Sequence, residues 1–239
     1  MNILYLDSST EACTVGVAVD DVTLADFEYA PRGHAQRLMP MAEALLERAE
    51  IGFSDLDLVA FGRGPGSFTG VRIATAMAQG IAISLDLPMV GISSLECLAL
   101  GAWRRYREAS DVEQIVGEEV EIWVAIDARM GEIYRAVYRI EPDGDWVIKL
   151  AEAVSAPEFP GIERLGTESP GAASAPVLAC GSGFGRYPEL ARSAAVVRCE
   201  PDALPHAQDA LELVTRTSAK DWISADRAVP HYLRDNVAG

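Results

Sequence analysis

A chain of 239 residues with 49% hydrophobic side chains carries enough apolar material for one large domain or two modest ones. Its 36 acidic residues against 20 lysines and arginines leave a formal charge of −16, a field that repels polyphosphate and argues against tight, unaided nucleic-acid binding. Cys13, Cys97, Cys180 and Cys199 are scattered without a CxxC pair, so neither a zinc knuckle nor a disulfide framework is expected, and a reduced cytoplasmic setting is.

The chain starts MNILYLDSST, an apolar strand that meets Asp7 without a basic leader, so no export signal is expected. Residues 3–19 read as a β-hairpin with Asp7 at its corner. The segment HAQRLMPMAEALLERA, 34–49, reads as an amphipathic helix. Leu38, Met41, Ala42, Leu45 and Ala49 line one face, with Met39 and Leu46 beside them. Pro40 has no amide and is expected to start a new helical segment or kink this one. His34 would begin an i, i+4 metal-binding pair, but position 38 is Leu, and His206 and His231 are distant in sequence. No metal site is expected.

Next comes AFGRGPGSFTGVRIATAMAQGIAIS, 60–84: a short strand, three glycines, then a long run of small and aliphatic residues. The loop has no lysine and lacks the Walker register, and Gly62-x-Gly64-x-x-Ser67 misses the third glycine of the dinucleotide fingerprint. It reads as a tight strand-to-helix connection with Ser67 or Thr69 as cap; an anion at the helix start is the open alternative. Along the helix, Gly70, Ala74, Ala78 and Ala82 recur every four residues beside a second stripe of Ile73, Met77, Ile81 and Leu85. Either both stripes pack on the protein's own sheet or one forms an intermolecular seam. Two adjacent stripes are wide for one sheet contact, and Met39, Met41 and Met77 suit an adaptable partner surface. The apolar run from 73 to 92 is broken by Gln79, Asp86 and Pro88, so no membrane span is expected.

Periodicity weakens over 101–121, where a domain boundary is expected. The hairpin pattern then returns at 122–140, with Asp127 at the corner. VLACGSGFG, 177–185, repeats the plan of LVAFGRGPG, 58–66. Asp7 and Gly62 stand 55 positions apart, Asp127 and Gly181 54, so the two halves are in step and point to a duplication. The expectation is an α/β fold of two similar lobes with mixed sheets flanked by helices, residues 1–106 and 107–239. A loop is expected over 161–176 and a helix over 207–217, the last helix and the tail AVPHYLRDN packing back on the first lobe. Asp7, Asp127, Gly181 and Gly183 are the candidates for holding a nucleotide or phosphate between lobes; the alternative is ordinary turn chemistry. No G-x-S-x-G nucleophile elbow occurs.

LDSSTEAC, the stretch His34 to Pro40, GRGPGSFTGVRIA, AQGIA, AIDARMGE and PHYLRDN together resemble the bacterial TsaB (YeaZ) family nearly end to end. The resemblance implies the duplicated actin-like, Hsp70-like (ASKHA) fold. It also implies a non-catalytic scaffold that works with the paralogue TsaD and the ATPase TsaE to put threonylcarbamoyl on N6 of the adenosine 3′ of the anticodon in tRNAs reading A-starting codons. Metal and ATP or ADP are then expected on the partner subunits, with no cofactor on this chain, and tRNA is reached only through the complex. The paralogue's His-x-x-x-His appears here as His34-Ala35-Gln36-Arg37-Leu38, one ligand short, and Ser9 stands where ATPases of the superfamily have Gly. The implied homodimer and TsaD seams map to residues 34–49 and 67–85. His34, Leu38, Met41, Ala42, Leu45, Gly70, Ile73, Ala74, Met77, Ala78 and Ile81 are the expected interface. The rivals are an independent ATP-dependent kinase or ATPase of the same fold and, more remotely, a metallopeptidase.

Overall fold

The computed structural model describes residues 1–109, 119–159, 175–192 and 196–234. Most of the expected 161–176 loop and part of the 101–121 boundary stretch lie outside the described residues, as do the tail residues beyond 234. The chain forms two compact units, Met1–Cys97 with Pro205–Tyr232, and Leu98–Leu204 with Leu233–Gly239. The division thus differs from the expected cut at 106/107 in falling inside a helix, while the return of the last helix and much of the tail to the first lobe is as expected, from Pro205 to Tyr232. Apolar periodicity marks where a helix packs, and a helix shared by two units hides the change from such a reading.

In the first unit, β1 (Ile3–Asp7), β2 (Ala12–Val19), β3 (Val22–Tyr29), β4 (Leu58–Gly64) and β5 (Met89–Ser93) form one sheet in the order β3-β2-β1-β4-β5. β1 pairs antiparallel with β2 and parallel with β4. It is buried on both faces, which is why it reads as an unbroken apolar run. Alternation sorts its neighbours: Leu4, Leu6, Val15, Val17, Val59 and Phe61 share a core with helices α1 (His34–Arg48) and α2 (Phe68–Leu85). Gly16 and Thr14 serve α5 (Ala207–Thr215), which packs on β1, β2 and β3. A Cβ on Gly16 would stand 2.7 Å from Leu211 Cδ1, and Thr14 Oγ1 accepts a 2.9 Å bond from the Ala207 amide.

Pro40 does not open a new segment, for α1 runs unbroken from His34 to Arg48. The proline lies on the exposed face, away from the side of the helix that packs on the core. Leu38 and Leu45, fully buried, each contribute about 2 kcal/mol of apolar burial. α2 is long and apolar enough, at mean hydropathy 1.2, to meet the minimum for a membrane span, and its Ala74–Ala78–Ala82 face is core. Past α5 the chain returns to α2 and β5: Gln79 Nε2 donates to the carbonyls of Ala225 and Ala228, and Met89 and Ile223 exchange backbone bonds.

The second unit contains the C-terminal part of α3 (Ser94–Ala109), then β6 (Val120–Arg129), β7 (Glu132–Ile140), β8 (Trp146–Ser155), β9 (Val177–Cys180), the short helix α4 (Ser182–Arg186) and β10 (Val196–Glu200). Its sheet runs β8-β7-β6-β9-β10, with β6 antiparallel to β7 and parallel to β9. This is the strand order and orientation of the first sheet, so the duplication read from Asp7/Gly62 and Asp127/Gly181 is present in the topology. Its core gathers Trp123, Ile133, Val137, Ala179 and Phe184 with Phe159.

Candidate functional site

The glycine loop ends β4 and starts α2. A Cβ on Gly62 would lie 2.3–2.6 Å from the Asp7 carboxyl, and one on Gly70 1.9 Å from the Ser8 carbonyl. The glycines therefore let the β1–β2 corner lie directly on the loop. Two amides at the start of the helix are engaged: Ser67 N–H donates to the Ser9 carbonyl at 2.7 Å, and Gly70 N–H to the Ser67 Oγ cap at 3.3 Å. Ser8 Oγ donates to the Gly70 carbonyl at 2.8 Å, closing the corner from the other side. Of the two proposed caps, Ser67 holds the position.

Asp7 is 1% exposed and fully engaged: Ser9 N–H donates to Oδ1 at 2.6 Å and Tyr5 OH to Oδ2 at 3.0 Å. Burial pushes its carboxyl above the ordinary carboxylate range, against the lowering effect of these bonds. These bonds fasten the β1–β2 corner from within. In the second unit, Asp127 Oδ2 pairs with Arg129 at 2.9 Å and Oδ1 accepts the Arg129 amide at 3.0 Å. A Cβ on Gly181, at φ +101°, would meet the Ala125 carbonyl at 2.4 Å, and one on Gly183 the Ala125 Cβ at 2.6 Å. Asp127, Gly181 and Gly183 are thus accounted for by local packing. Among the described residues no three His, Cys, Asp or Glu side chains group as a metal-ligand set.

The expected interface residues divide sharply. Leu38, Met41, Ala42, Leu45, Ala74, Ala78 and Ile81 are buried in the first unit's own core, and Gly70 lies against Ser8. Of these only Ile81 also reaches a groove on the outer side, so the small-residue stripe of α2 faces the sheet and the β1–β2 corner rather than outward. His34 is half-buried, its Nε2–H donating to the Thr10 carbonyl at 3.0 Å, which ties α1 to the β1–β2 corner. Only Ile73 and Met77 of the helix set also face outward. The reason is rotation: at 3.6 residues per turn, each four-residue step advances about 40° around the helix. A stripe that begins at half-exposed Ile73 and Met77 has therefore turned into the core by Ile81.

The outward face of α2 is Thr69, Arg72, Ile73, Ala76, Met77 and Gly80. Gly80 has nothing within 4 Å of its absent Cβ, so here a second backbone can approach closely. Beside it an open groove of about 450 Å³ is lined by Met39, Phe53, Met77, Gly80, Ile81 and Leu85. Ala76, Gly80 and Phe53 were missed; a 100° helical projection, rather than a count by fours, would have shown the first two sharing a face.

Two sheets of one mixed topology, each opening on a hairpin with an acid at its corner, define an α/β protein of the duplicated actin-like (ASKHA) class. The family described as TsaD, tRNA N6-adenosine threonylcarbamoyltransferase, matches residues 28–239. The tRNA threonylcarbamoyladenosine biosynthesis protein TsaB of Escherichia coli (strain K12) is 37% identical across 100% of this chain and 96% of its own length. YeaZ from Pseudomonas aeruginosa superposes with a TM-score of 0.79 at 37% identity, covering 97% of this chain and 99% of its own. A second structure from that organism, described as an uncharacterized protein with similarity to peptidase YEAZ, gives 0.80 at 38% identity over 98% and 99%. The chain belongs to the TsaB (YeaZ) family.

Proposed function

We propose that this chain is a non-catalytic scaffold in tRNA threonylcarbamoyladenosine biosynthesis, the pathway named in its full-length relatives. It dimerises alone, and it activates the paralogous transferase TsaD by docking a helix pair on the outward face of α2 and the adjoining groove. TsaE joins the assembly in the cytoplasm. ATP or ADP and a divalent metal sit on the partner subunits, and tRNA is engaged through the complex. The observation that carries this reading is the face of Ile73, Ala76, Met77 and Gly80, apolar and small on a helix whose other side is already satisfied by core. Activation follows if docking favours the active state of the partner over its alternatives. The enclosed Asp7 and the Arg129-paired Asp127 support a scaffold over an independent kinase or ATPase.

The test is threonylcarbamoyl transfer to tRNA by purified TsaD and TsaE, with the activated donor supplied, with and without this chain. Product that requires the chain, and is lost with Gly80→Arg, supports the reading. Product made equally well without it overturns the reading, as does ATP hydrolysis by the chain alone.

A further inference from the structure

Arg72 lies on the outward face of α2, four residues before Ala76 and eight before Gly80. Its guanidinium carbon sits 3.2 Å above the centre of the Phe68 ring and 5.3 Å from that of Tyr232, and its Nε–H donates to the Tyr232 hydroxyl at 2.9 Å. The tail that carries Tyr232 is itself pinned, His231 N–H donating to the Arg63 carbonyl at 2.7 Å. The flat cation is therefore held in one orientation by two rings and a hydroxyl, with Nη1 and Nη2 making no hydrogen bond among the described residues.

Other arginines are taken up by acids. Arg105 takes Glu200 at 2.6 Å, Arg139 takes Glu121 at 2.9 Å, Arg37 takes Glu28 and Arg234 takes Glu132. Arg72 pairs with no carboxylate among the described residues. Arg32, Arg48, Arg107, Arg186, Arg192 and Arg227 likewise pair with none there, and Arg72 differs from them in being held by two rings and a hydroxyl. A guanidinium whose stem is immobilised in advance loses little freedom when it binds, and its terminal nitrogens match the two oxygens of a carboxylate.

We propose that Arg72 is a specificity anchor that takes an aspartate or glutamate side chain from the protein partner seated on the outward face of α2. The inference rests on the docking reading above and adds the chemistry of the partner: an apolar helix surface with one carboxylate where it crosses the start of α2. A carboxylate is favoured over an RNA phosphate because the chain's charge of −16 opposes a polyanion, whereas a single acid on an apolar helix meets mainly the local cation. Continuity with Ile73, Ala76 and Gly80 selects a protein surface.

The experiment measures the Kd of the full chain for purified TsaD by calorimetry, at low and high salt. Arg72→Ala is expected to weaken binding about tenfold or more and to flatten its salt dependence, with the melting temperature of the free chain near that of the parent. Arg72→Lys is expected to recover little, since it lacks the planar fork. Arg72→Glu is expected to be rescued by one Asp or Glu to Arg exchange on the partner's docking helices. If Arg72→Ala binds like the parent while Gly80→Arg does not, the anchor is wrong and the docking face stands. If neither variant affects binding, the docking face itself is wrong. Failure of every charge exchange to rescue Arg72→Glu overturns the carboxylate assignment. So does an Arg72→Ala variant that loses only tRNA affinity of the assembled complex.

Discussion

The carboxyl carbon of Asp7 lies 2.3 Å from the place a Cβ on Gly62 would occupy. The strand corner and the glycine loop are therefore in contact at a position where no side chain fits. Gly62→Ala must push the carboxyl aside, adding an overpacking cost of about 1–3 kcal/mol to that of the polar groups it leaves unpaired. Denaturant unfolding of this variant is expected to show a loss of about 3 kcal/mol or more.

Asp7 also sets a pH dependence. Burial raises its folded pKa above the unfolded carboxylate value, so the folded chain holds the proton more tightly than the unfolded one. Its contribution to stability is fullest below the ordinary carboxylate range and declines as the pH rises through the folded value. Asp7→Asn keeps an acceptor for the Ser9 amide and removes the charge. Its stability curve is expected to lack that decline, so urea titrations of the two proteins should converge at acid pH and separate toward neutrality.

Two substitutions on α2 separate its faces. Ala74 is fully buried, so Ala74→Arg is expected to unfold the first unit and says nothing about a seam. Gly80→Ala exchanges the poorest non-proline helix residue for the best where no neighbour is met, which should add about 1 kcal/mol and raise Tm by about 2–4 °C. The same methyl group stands in the path of a close-packed partner helix, so TsaD binding is expected to weaken as the free chain becomes more stable.

Thr14 joins strand to helix: its Oγ1 accepts from the Ala207 amide, and its hydroxyl donates to the Asp26 carbonyl at 3.0 Å. Thr14→Val preserves shape and strands the buried amide, a loss of about 1–3 kcal/mol. Hydrogen exchange should report it first at the start of α5.

The cysteines give a simple check on burial. Burial raises all four thiols, Cys13 to about 11, and Glu200 adds to the rise at Cys199, but Cys199 on β10 is exposed while the other three are buried. Native protein treated with a thiol reagent at neutral pH should release one equivalent quickly, and the Cys199→Ser variant almost none.

Much of the architecture was legible because it is written in short apolar strands and in a motif pair that recurs with almost equal spacing. Asp7 with Gly62 and Asp127 with Gly181 mark the repeat without any knowledge of contacts. The partner face was harder to read. Gly70, Ala74 and Ala78 look like a seam because small residues at that spacing permit close approach, but whether strand or partner makes the approach depends on which way α2 is turned. Here Ser8 and the sheet make it. Arg72 was invisible as a site because its distinction comes from Tyr232, 160 positions away in sequence. The unit boundary was missed for a related reason: α3 changes neighbours between Cys97 and Leu98 without changing its periodicity.

The return of the chain to the first unit at Pro205 has a bearing on biosynthesis. On the ribosome, β1 to β5 emerge early, yet the sheet face that holds Gly16 and Thr14 is left uncovered until Ala207–Thr215 follows. Elongation at roughly 5–20 residues per second puts several seconds between the two events. During that interval the nascent first unit offers an apolar surface to chaperones, and its completion waits for the segment that begins at Pro205.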